Sequence, residues 1–451
     1  MNLPLTIIQQ LQEKFSIDIS ALQDAHTKIA PVSIRLNPLK PAYDYTLDKK
    51  VPWADNAYYL PERPTFTADP LFHAGCYYVQ EASSMFVEQA FLQTADTAKS
   101  LLVLDACAAP GGKSTLLASL LNEENLLVSN EVISTRVPSL THNMAKWGTL
   151  NSIVTNNDPK DFSRLPDFFD VMLVDAPCSG SGLFRKQEDA IEHWSEENVN
   201  HCSQRQQRIL ADLFPSLKEN GSLIYSTCSY SEEENEAICD YLCDNFSLEP
   251  IRLKISAEWN ILETQSEKHK AFGCRFLPHL VAGEGFFLAC FRKKVNKQKS
   301  EQHQYKNFLT KISADGSPIV KNHMSSEKID FASFHDEIIG FHRNNFSNIQ
   351  KITSALKVKK MPVHIGQVKG KDFIPHPYLA YQNITKGFPQ VDVDASTALQ
   401  YLRKQPFQLN DDAKGFALLS FQNQNLGWFK NLGNRINNYY PVDWRILKDN
   451  F

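Results

Sequence analysis

Between residues 75 and 292, short apolar runs alternate with longer helix-like stretches. The runs lie at 101–104, 126–129, 171–174 and 222–225, and a last strand is predicted over 285–291. This is the pattern of repeated βαβ units, so it predicts an α/β fold: a parallel sheet with helices on both faces. The ends of adjacent parallel strands converge on one ligand crevice. Two cysteines sit just past two of these strands, in Asp175-Ala176-Pro177-Cys178-Ser179-Gly180 and Tyr225-Ser226-Thr227-Cys228-Ser229. Two thiols delivered to one crevice point to covalent chemistry on an electrophile.

The chain has 451 residues, too many for one core, so two to four domains are expected. Before residue 75 lies a turn-rich segment containing Ser33-Ile34-Arg35-Leu36-Asn37-Pro38. After the last strand, Arg292-Lys293-Lys294 opens a polar stretch running to about Asn307, the best linker candidate. A helix is predicted over 395–404 and strands over 415–421 and 426–430, broken by Gly433 and the pair Asn437-Asn438. The expected parts are an N-terminal segment (1–75), a catalytic domain (76–294) and a linker (295–306). An intermediate region (307–385) and a β-rich module (386–451) follow, and the linker is expected to let that module swing.

A net charge of −4 argues against a bulk electrostatic sponge for nucleic acid, while leaving room for a local basic face. Nine cysteines, an odd number without paired spacing, fit a reduced cytoplasmic setting better than a disulfide framework. Leu5, Ile8, Leu11 and Phe15 follow helical spacing, so the start reads as an amphipathic helix and not a signal peptide. No apolar run is long enough to span a bilayer, so no membrane partner is expected.

The first strand ends at Asp105, and Cys107-Ala108-Ala109-Pro110-Gly111-Gly112-Lys113-Ser114 follows before a helix predicted over 113–121. A strand, a glycine turn and a helix present backbone N–H groups to a ligand. The next strand ends at Glu131, 19 residues past Gly112, close to the spacing at which a carboxylate meets a ribose hydroxyl. A third ends near Asp158, an acid placed to accept from an adenine amine. Loop and acids together specify a nucleoside cofactor. A P-loop NTPase is the rival, because Cys107 to Ser114 comes within one residue of that motif, and the strand ending at Asp175 imitates its acid. However, the first glycine is replaced by Cys107, Pro110 interrupts the loop, and Glu131 and Asp158 would have no task. The set favours S-adenosylmethionine.

A thiolate adding to C6 of cytosine makes C5 enamine-like, so that C5 can take a methyl group from a sulfonium. The chain supplies either Cys178 or Cys228 as the thiol, Asp175 as an acid for the ring, and the cofactor loop. Positive neighbours must favour the thiolate, and Lys113, Arg185 and Lys186 are the candidates. Cys239 and Cys243 lack further ligands, so no metal site is expected; with Cys76, Cys202, Cys274 and Cys290 they read as small buried hydrophobes.

Taken together, the 107–113 loop, the 175–180 segment, Ser226-Thr227-Cys228-Ser229 and Glu232-Glu233-Glu234-Asn235-Glu236 resemble the Sun/nucleolar-protein family of RNA 5-methylcytosine methyltransferases. The stretches at 79–85 and 182–186 are also similar to its motifs. The C-terminal part, with Leu426-Gly427-Trp428-Phe429-Lys430, resembles the bacterial RsmF-type branch. The resemblance implies a Rossmann-like class I methyltransferase sheet, a PUA-like terminal module and small-subunit (16S) rRNA as substrate. It also implies roles: Cys228 as nucleophile, Cys178 in product release, and Asp175 at the junction of cofactor and cytosine. Cys107, Ala108, Ala109, Pro110, Gly111, Gly112 and Lys113 would cradle the cofactor, with Glu131 on the ribose and Asp158 on the adenine. A monomer is expected. A non-enzymatic alternative, a ribosome-assembly factor with a dead methyltransferase fold, is disfavoured by the presence of both cysteines.

RNA contacts are expected from Arg35, Asn37 and Lys40 near the N-terminus, and from Lys404, Lys430, Arg435 and Arg445 in the tail. For most of the tail aromatics Trp428, Tyr439, Tyr440 and Trp444, core packing is the favoured reading.

Overall fold

A computed structural model of the chain describes residues 3–43, 45–186, 191–192, 194–295, 304–312, 323–324, 328–369, 372–409 and 414–447. Two helices open it, α1 (Leu5–Phe15) and α2 (Ile19–Thr27). A three-stranded antiparallel sheet follows, with β1 (Val32–Leu36) between β2 (Ala57–Leu60) and β3 (Tyr77–Val79); α3 (Pro70–Ala74) precedes β3. The N-terminal unit thus runs a few residues past the expected boundary at 75.

The catalytic domain contains α4 (Val87–Thr94), β4 (Leu102–Asp105), α5 (Gly112–Leu120), β5 (Leu126–Asn130), α6 (Val137–Trp147) and β6 (Ser152–Thr155). It continues with β7 (Phe169–Asp175), α7 (Glu196–Leu213), β8 (Leu217–Thr227), α8 (Glu236–Asn245), β9 (Leu248–Ile251), β10 (Leu262–Gln265), β11 (Phe272–Phe276) and β12 (Phe286–Lys293). Strands β8-β7-β4-β5-β6 are parallel neighbours in that order. All four residues of β4 and all four of β6 are buried, because helices cover both faces; that is why these strands read as continuous apolar runs. From β4 the chain runs outward through β5 and β6, then crosses back to lay β7 on the other side of β4, so a crevice opens at the C-terminal ends of β4 and β7.

The helix over 5–15 forms as predicted, and Ile8, Leu11 and Phe15 of the predicted face pack inward; Leu5 does not, and Ile7 takes its place. Ile7 and Leu11 turn inward with Leu3, whereas Leu5 is 76% exposed. This face packs with Phe184 and Tyr230, which flank the two cysteine loops. Gln10 donates to Glu233 Oε1 at 2.7 Å, and Lys14 pairs with Glu232. The N-terminus therefore braces the segment that follows Cys228.

Residues 296–303 of the expected linker lie outside the described residues. The intermediate region is a five-stranded sheet of β13 (Thr310–Ile312), β14 (Ile329–Phe334), β15 (Glu337–His342), β17 (Val363–Lys369) and β18 (Asp372–Pro375). Within it, α9 (Phe346–Ala355) leads to β16 (Val358–Lys360), which leaves that sheet and pairs antiparallel with β6. The large sheet is thereby extended by a strand from outside its own domain. Next to this seam, Asn156 N–H donates to the Lys357 carbonyl and Lys357 N–H to Asn157 Oδ1, both at 3.0 Å.

The tail contains β19 (Gln390–Asp392), α10 (Ala395–Leu402), β20 (Gly415–Phe421), β21 (Gln424–Asn431) and β22 (Ile436–Asn438). Asn437 and Asn438 belong to β22 and do not break the module. Tyr401, Phe429 and Tyr440 share one apolar cluster with Ile34, Leu71 and Tyr77 of the N-terminal unit. Trp444 stacks on His142 of α6 with ring centroids 4.0 Å apart. The tail is packed against the rest of the chain, contrary to the expected swing. Trp428 and Tyr440 are buried, as the core reading had it. Among the described residues no helix is long and apolar enough to cross a membrane.

Candidate active site

Both cysteines lie at the crevice. Cys178 follows β7 and Cys228 follows β8, and their sulfurs approach to 3.1 Å. The loops interlock through backbone: Gly182 N–H donates to the Cys228 carbonyl at 2.9 Å, and a Cβ on Gly182 would stand 2.4 Å from the Gly285 carbonyl. Only glycine permits that approach.

Glu234 holds the two loops in register. It accepts from Ser179 N–H at 2.8 Å, Ser179 Oγ at 2.6 Å and Ser229 Oγ at 2.5 Å, the residues directly after each cysteine. Gln206 of α7 donates both to Glu234 Oε1, at 3.3 Å, and to the Pro177 carbonyl, at 3.1 Å. Burial raises the Glu234 carboxyl above its ordinary value, opposed by these hydrogen bonds. In the sequence Glu234 was only one acid in a run. Asn235 completes the frame, donating to the Ser229 carbonyl at 2.8 Å and accepting from Thr227 Oγ1 at 2.5 Å.

Asp175, the last residue of β7, accepts from Ser226 Oγ at 2.7 Å and from Lys113 Nζ at 2.8 Å. Burial lowers the Lys113 ammonium, but Asp175 and the Cys228 sulfur outweigh it, and the net shift is upward. Lys113 is thus the cation beside the thiols. Arg185 is committed elsewhere, to the buried Glu284 and the Gly283 carbonyl, and Lys186 is exposed. The Cys178 thiol is raised well above its ordinary value by its hydrogen bond to Cys228, then by burial.

The predicted cofactor loop joins β4 to α5. Ala109–Pro110 is cis, and Gly111 has a φ of +113°, in the region that favours glycine. Behind the loop, Asp105 is pushed up to about 7 by burial, while Ser114 Oγ, donating at 2.6 Å, opposes the shift. Asn130 ties three strand ends together. Its Nδ2 donates to the Ala106 and Asn157 carbonyls at 3.3 and 3.0 Å, and its Oδ1 accepts from Thr155 Oγ1 at 2.9 Å. No motif had singled out this residue.

Glu131 follows β5 and is 3% exposed; it accepts from Ile133 N–H at 2.8 Å and meets Arg136 at 3.2 Å. Asp158 follows β6 and caps a short turn, accepting from Lys160 N–H at 3.2 Å. Burial raises the Cys107 thiol, which leaves it a neutral loop residue. Cys76, Cys202, Cys239, Cys274 and Cys290 are free and buried, and Cys243 is half-buried. The expected RNA contacts Arg35, Asn37 and Lys40 are buried, with partners inside the protein: Arg35 on Gln80 and Thr115, Asn37 on Gly75 and Trp147, Lys40 on Ala74. They hold the N-terminal sheet to α5 and α6 and do not track phosphates.

Residues 91–292 match the family described as 16S rRNA methyltransferase RsmB/F. Residues 3–82 match the N-terminal domain of 16S rRNA methyltransferase RsmF, and residues 388–446 the methyltransferase RsmF PUA domain. The ribosomal RNA small subunit methyltransferase F of Vibrio vulnificus (strain YJ016) is 30% identical over 434 residues, covering 91% of this chain and 90% of its own. That of Shewanella baltica (strain OS223) is 31% identical over 477 residues, covering 98% and 96%. A solved methyltransferase homolog protein from Pyrococcus horikoshii is 29% identical, with a TM-score of 0.55 over 64% of this chain and 95% of that one.

Proposed function

Because the chain belongs to the RsmF family of 16S rRNA methyltransferases, we propose that it transfers a methyl group from S-adenosylmethionine to C5 of a cytosine in small-subunit rRNA. The observation that carries this reading is the 3.1 Å meeting of two thiols beside the Asp175–Lys113 pair. One thiol would serve a general nucleophile, whereas two, with an acid and a cation, suit addition to C6 and later release.

The pocket residues suit the cofactor. Asp105, Glu131, Asp158 and Asp175 stand at the ends of four neighbouring strands, an acidic rim for a ligand that is cationic at sulfur. Glu131 offers two oxygens to a ribose diol, and Arg136 ties it to the loop by donating to the Ala109 carbonyl at 2.6 Å. Asp158 suits the adenine amine. The loop from Cys107 through Ala108, Ala109, Pro110, Gly111 and Gly112 to Lys113 would cradle the methionine and ribose side. When bound, the cofactor supplies an electrophilic methyl group on a sulfonium.

The residues of the chain do the rest. The Lys113 ammonium lies beside the Cys228 sulfur and holds Asp175 in place. The Cys228 sulfur adds to C6, forming the S–C6 bond and making C5 nucleophilic. Asp175 accepts from the cytosine amine and orients the ring. After methyl transfer the C5 proton leaves to a base, the S–C6 bond breaks and the ring double bond returns. Cys178, held in its protonated form against Cys228, is placed to hand its proton to the departing sulfur. The cytosine must be unstacked to enter this pocket.

Incubation with methyl-labelled S-adenosylmethionine and unmodified small-subunit rRNA should place the label in 5-methylcytidine. Label recovered only in another nucleoside would sink the reading. Separately, Glu131→Gln should weaken S-adenosylmethionine binding about tenfold to a hundredfold, the worth of a hydrogen bond to a charged group. Calorimetric titration checks this, and unchanged affinity would remove Glu131 from the site.

A further inference from the structure

Lys146 is a buried cation without a counter-charge. It sits in the last turn of α6, 7% exposed, and among the described residues its ammonium meets no carboxylate and no carbonyl. Its one contact is the ring of Phe72, 4.4 Å to the centroid. Burial lowers it to about 8, which still leaves it mostly protonated at neutral pH. Two further buried basic side chains stand nearby, Arg35 and Lys40, and among the described residues neither is ion-paired; burial lowers Lys40 to about 7. His73 and His142 beside them are held neutral, first by burial and then by Lys146 itself. A positive site this desolvated is unfavourable unless an anion completes it.

A cleft of about 130 Å³ opens onto Lys146, walled by Phe72, Tyr78 and Trp147. It shares wall residues with two neighbouring depressions. Phe72 and Val79 line the next depression with Arg63, and Arg63 and Val79 line the one beyond it with Lys186. Lys186 ends the short segment after the Cys178 loop. At the other end, Tyr78 lies against the cofactor loop, where a Cβ on Gly112 would be 3.4 Å from its ring. The three depressions carry the cations Lys146, Arg63 and Lys186 and the carboxylate of Glu81, with the aromatic faces of Phe72, Tyr78 and Trp147 between them. That arrangement suits a single nucleic-acid strand, whose phosphates meet the cations while its bases find stacking faces.

We propose that the Lys146 cleft seats a backbone phosphate of the RNA strand that carries the target cytosine. This rests on the RNA-methyltransferase reading above. Lys146→Met keeps the stem of the side chain and removes the charge. With the full chain and a short fluorescent single-stranded RNA, its affinity should fall about tenfold at low salt. The slope of log Kd against log salt should flatten by about 0.7, the share of one phosphate on a single strand. S-adenosylmethionine affinity should hold and the Tm of the RNA-free protein should not fall, and Lys146→Arg should restore the slope. Arg63→Gln, an exposed position in the neighbouring depressions, should flatten the slope as well and gives a test independent of core packing. An unchanged slope in both variants overturns the proposal, as does weaker binding with an unchanged slope in Lys146→Met. A wild-type chain that methylates rRNA while these slopes stay fixed overturns the cleft alone; a wild-type chain that does not methylate overturns the reading beneath it.

Discussion

Replacing Cys178 with Ala should trap the enzyme on its substrate. In this variant the protein–RNA adduct should accumulate as a slow-migrating band that survives denaturation, with turnover reduced by about a thousandfold or more, in the range of lost acid–base and nucleophilic groups. Cys228→Ala should abolish methylation equally but give no adduct, and the double variant should give none either. The asymmetry follows from the site. The Cys178 thiol is raised by its hydrogen bond to Cys228 and by burial, so it keeps its proton, whereas Lys113 lies beside the Cys228 sulfur. A thiol held protonated is a poor attacker and a useful proton donor. An adduct formed by Cys228→Ala and not by Cys178→Ala would exchange the two roles.

Glu234→Ala should be the most damaging change among residues that do not touch substrate. The Ser179 N–H, Ser179 Oγ and Ser229 Oγ lose their acceptor inside a buried frame. Each orphaned group costs about 1–3 kcal/mol, so Tm should fall by several degrees. The kinetic effect should exceed the loss of stability. With the loops after β7 and β8 untied, the sulfurs no longer meet at a fixed distance, and a displacement of about 1 Å costs on the order of a hundredfold in kcat. The Michaelis constant for S-adenosylmethionine should hold, because the loop at 107–113 and Glu131 do not contact Glu234. Glu234→Gln, which keeps one acceptor oxygen, should lie between the two. Loss of stability with full kcat at low temperature would reduce Glu234 to a structural role.

The catalytic sheet was legible because its strands are buried on both faces, and a strand covered twice writes itself as an unbroken apolar run. The predicted strand at 126–129 lies within β5, Leu126–Asn130, and the one at 101–104 is shifted by a single residue from β4, Leu102–Asp105. Site residues were legible for the same reason, since the fold delivers strand ends to one crevice. What escaped depends on partners far along the chain. Ile7 is absent from the i, i+3 spacing read for α1, and packing with Phe184 and Tyr230 brings it inward beside Ile8 and Leu11 while Leu5 stays exposed. Arg35 and Lys40 look like surface cations until the carbonyls that take them, from Thr115 and Ala74, are brought near. Glu234 is indistinguishable from Glu232 and Glu233 until the turn at 232–234 points it between the cysteine loops. Three residues of β16 are too few to announce a strand.

That short strand has a thermodynamic corollary. Its pairing with β6 and the bonds from Lys357 fix Asn156 and Asn157, and the next residue is Asp158. The seam between the C-terminal half and the catalytic sheet therefore ends directly before Asp158, the residue proposed for the adenine. Free energies around a closed cycle cancel, so influence across such a seam runs both ways with equal strength. Whatever factor an RNA grip on the C-terminal half contributes to methyl-donor affinity, the donor returns to the RNA: the two ligands become heterotropic effectors of one another through three residues of shared backbone.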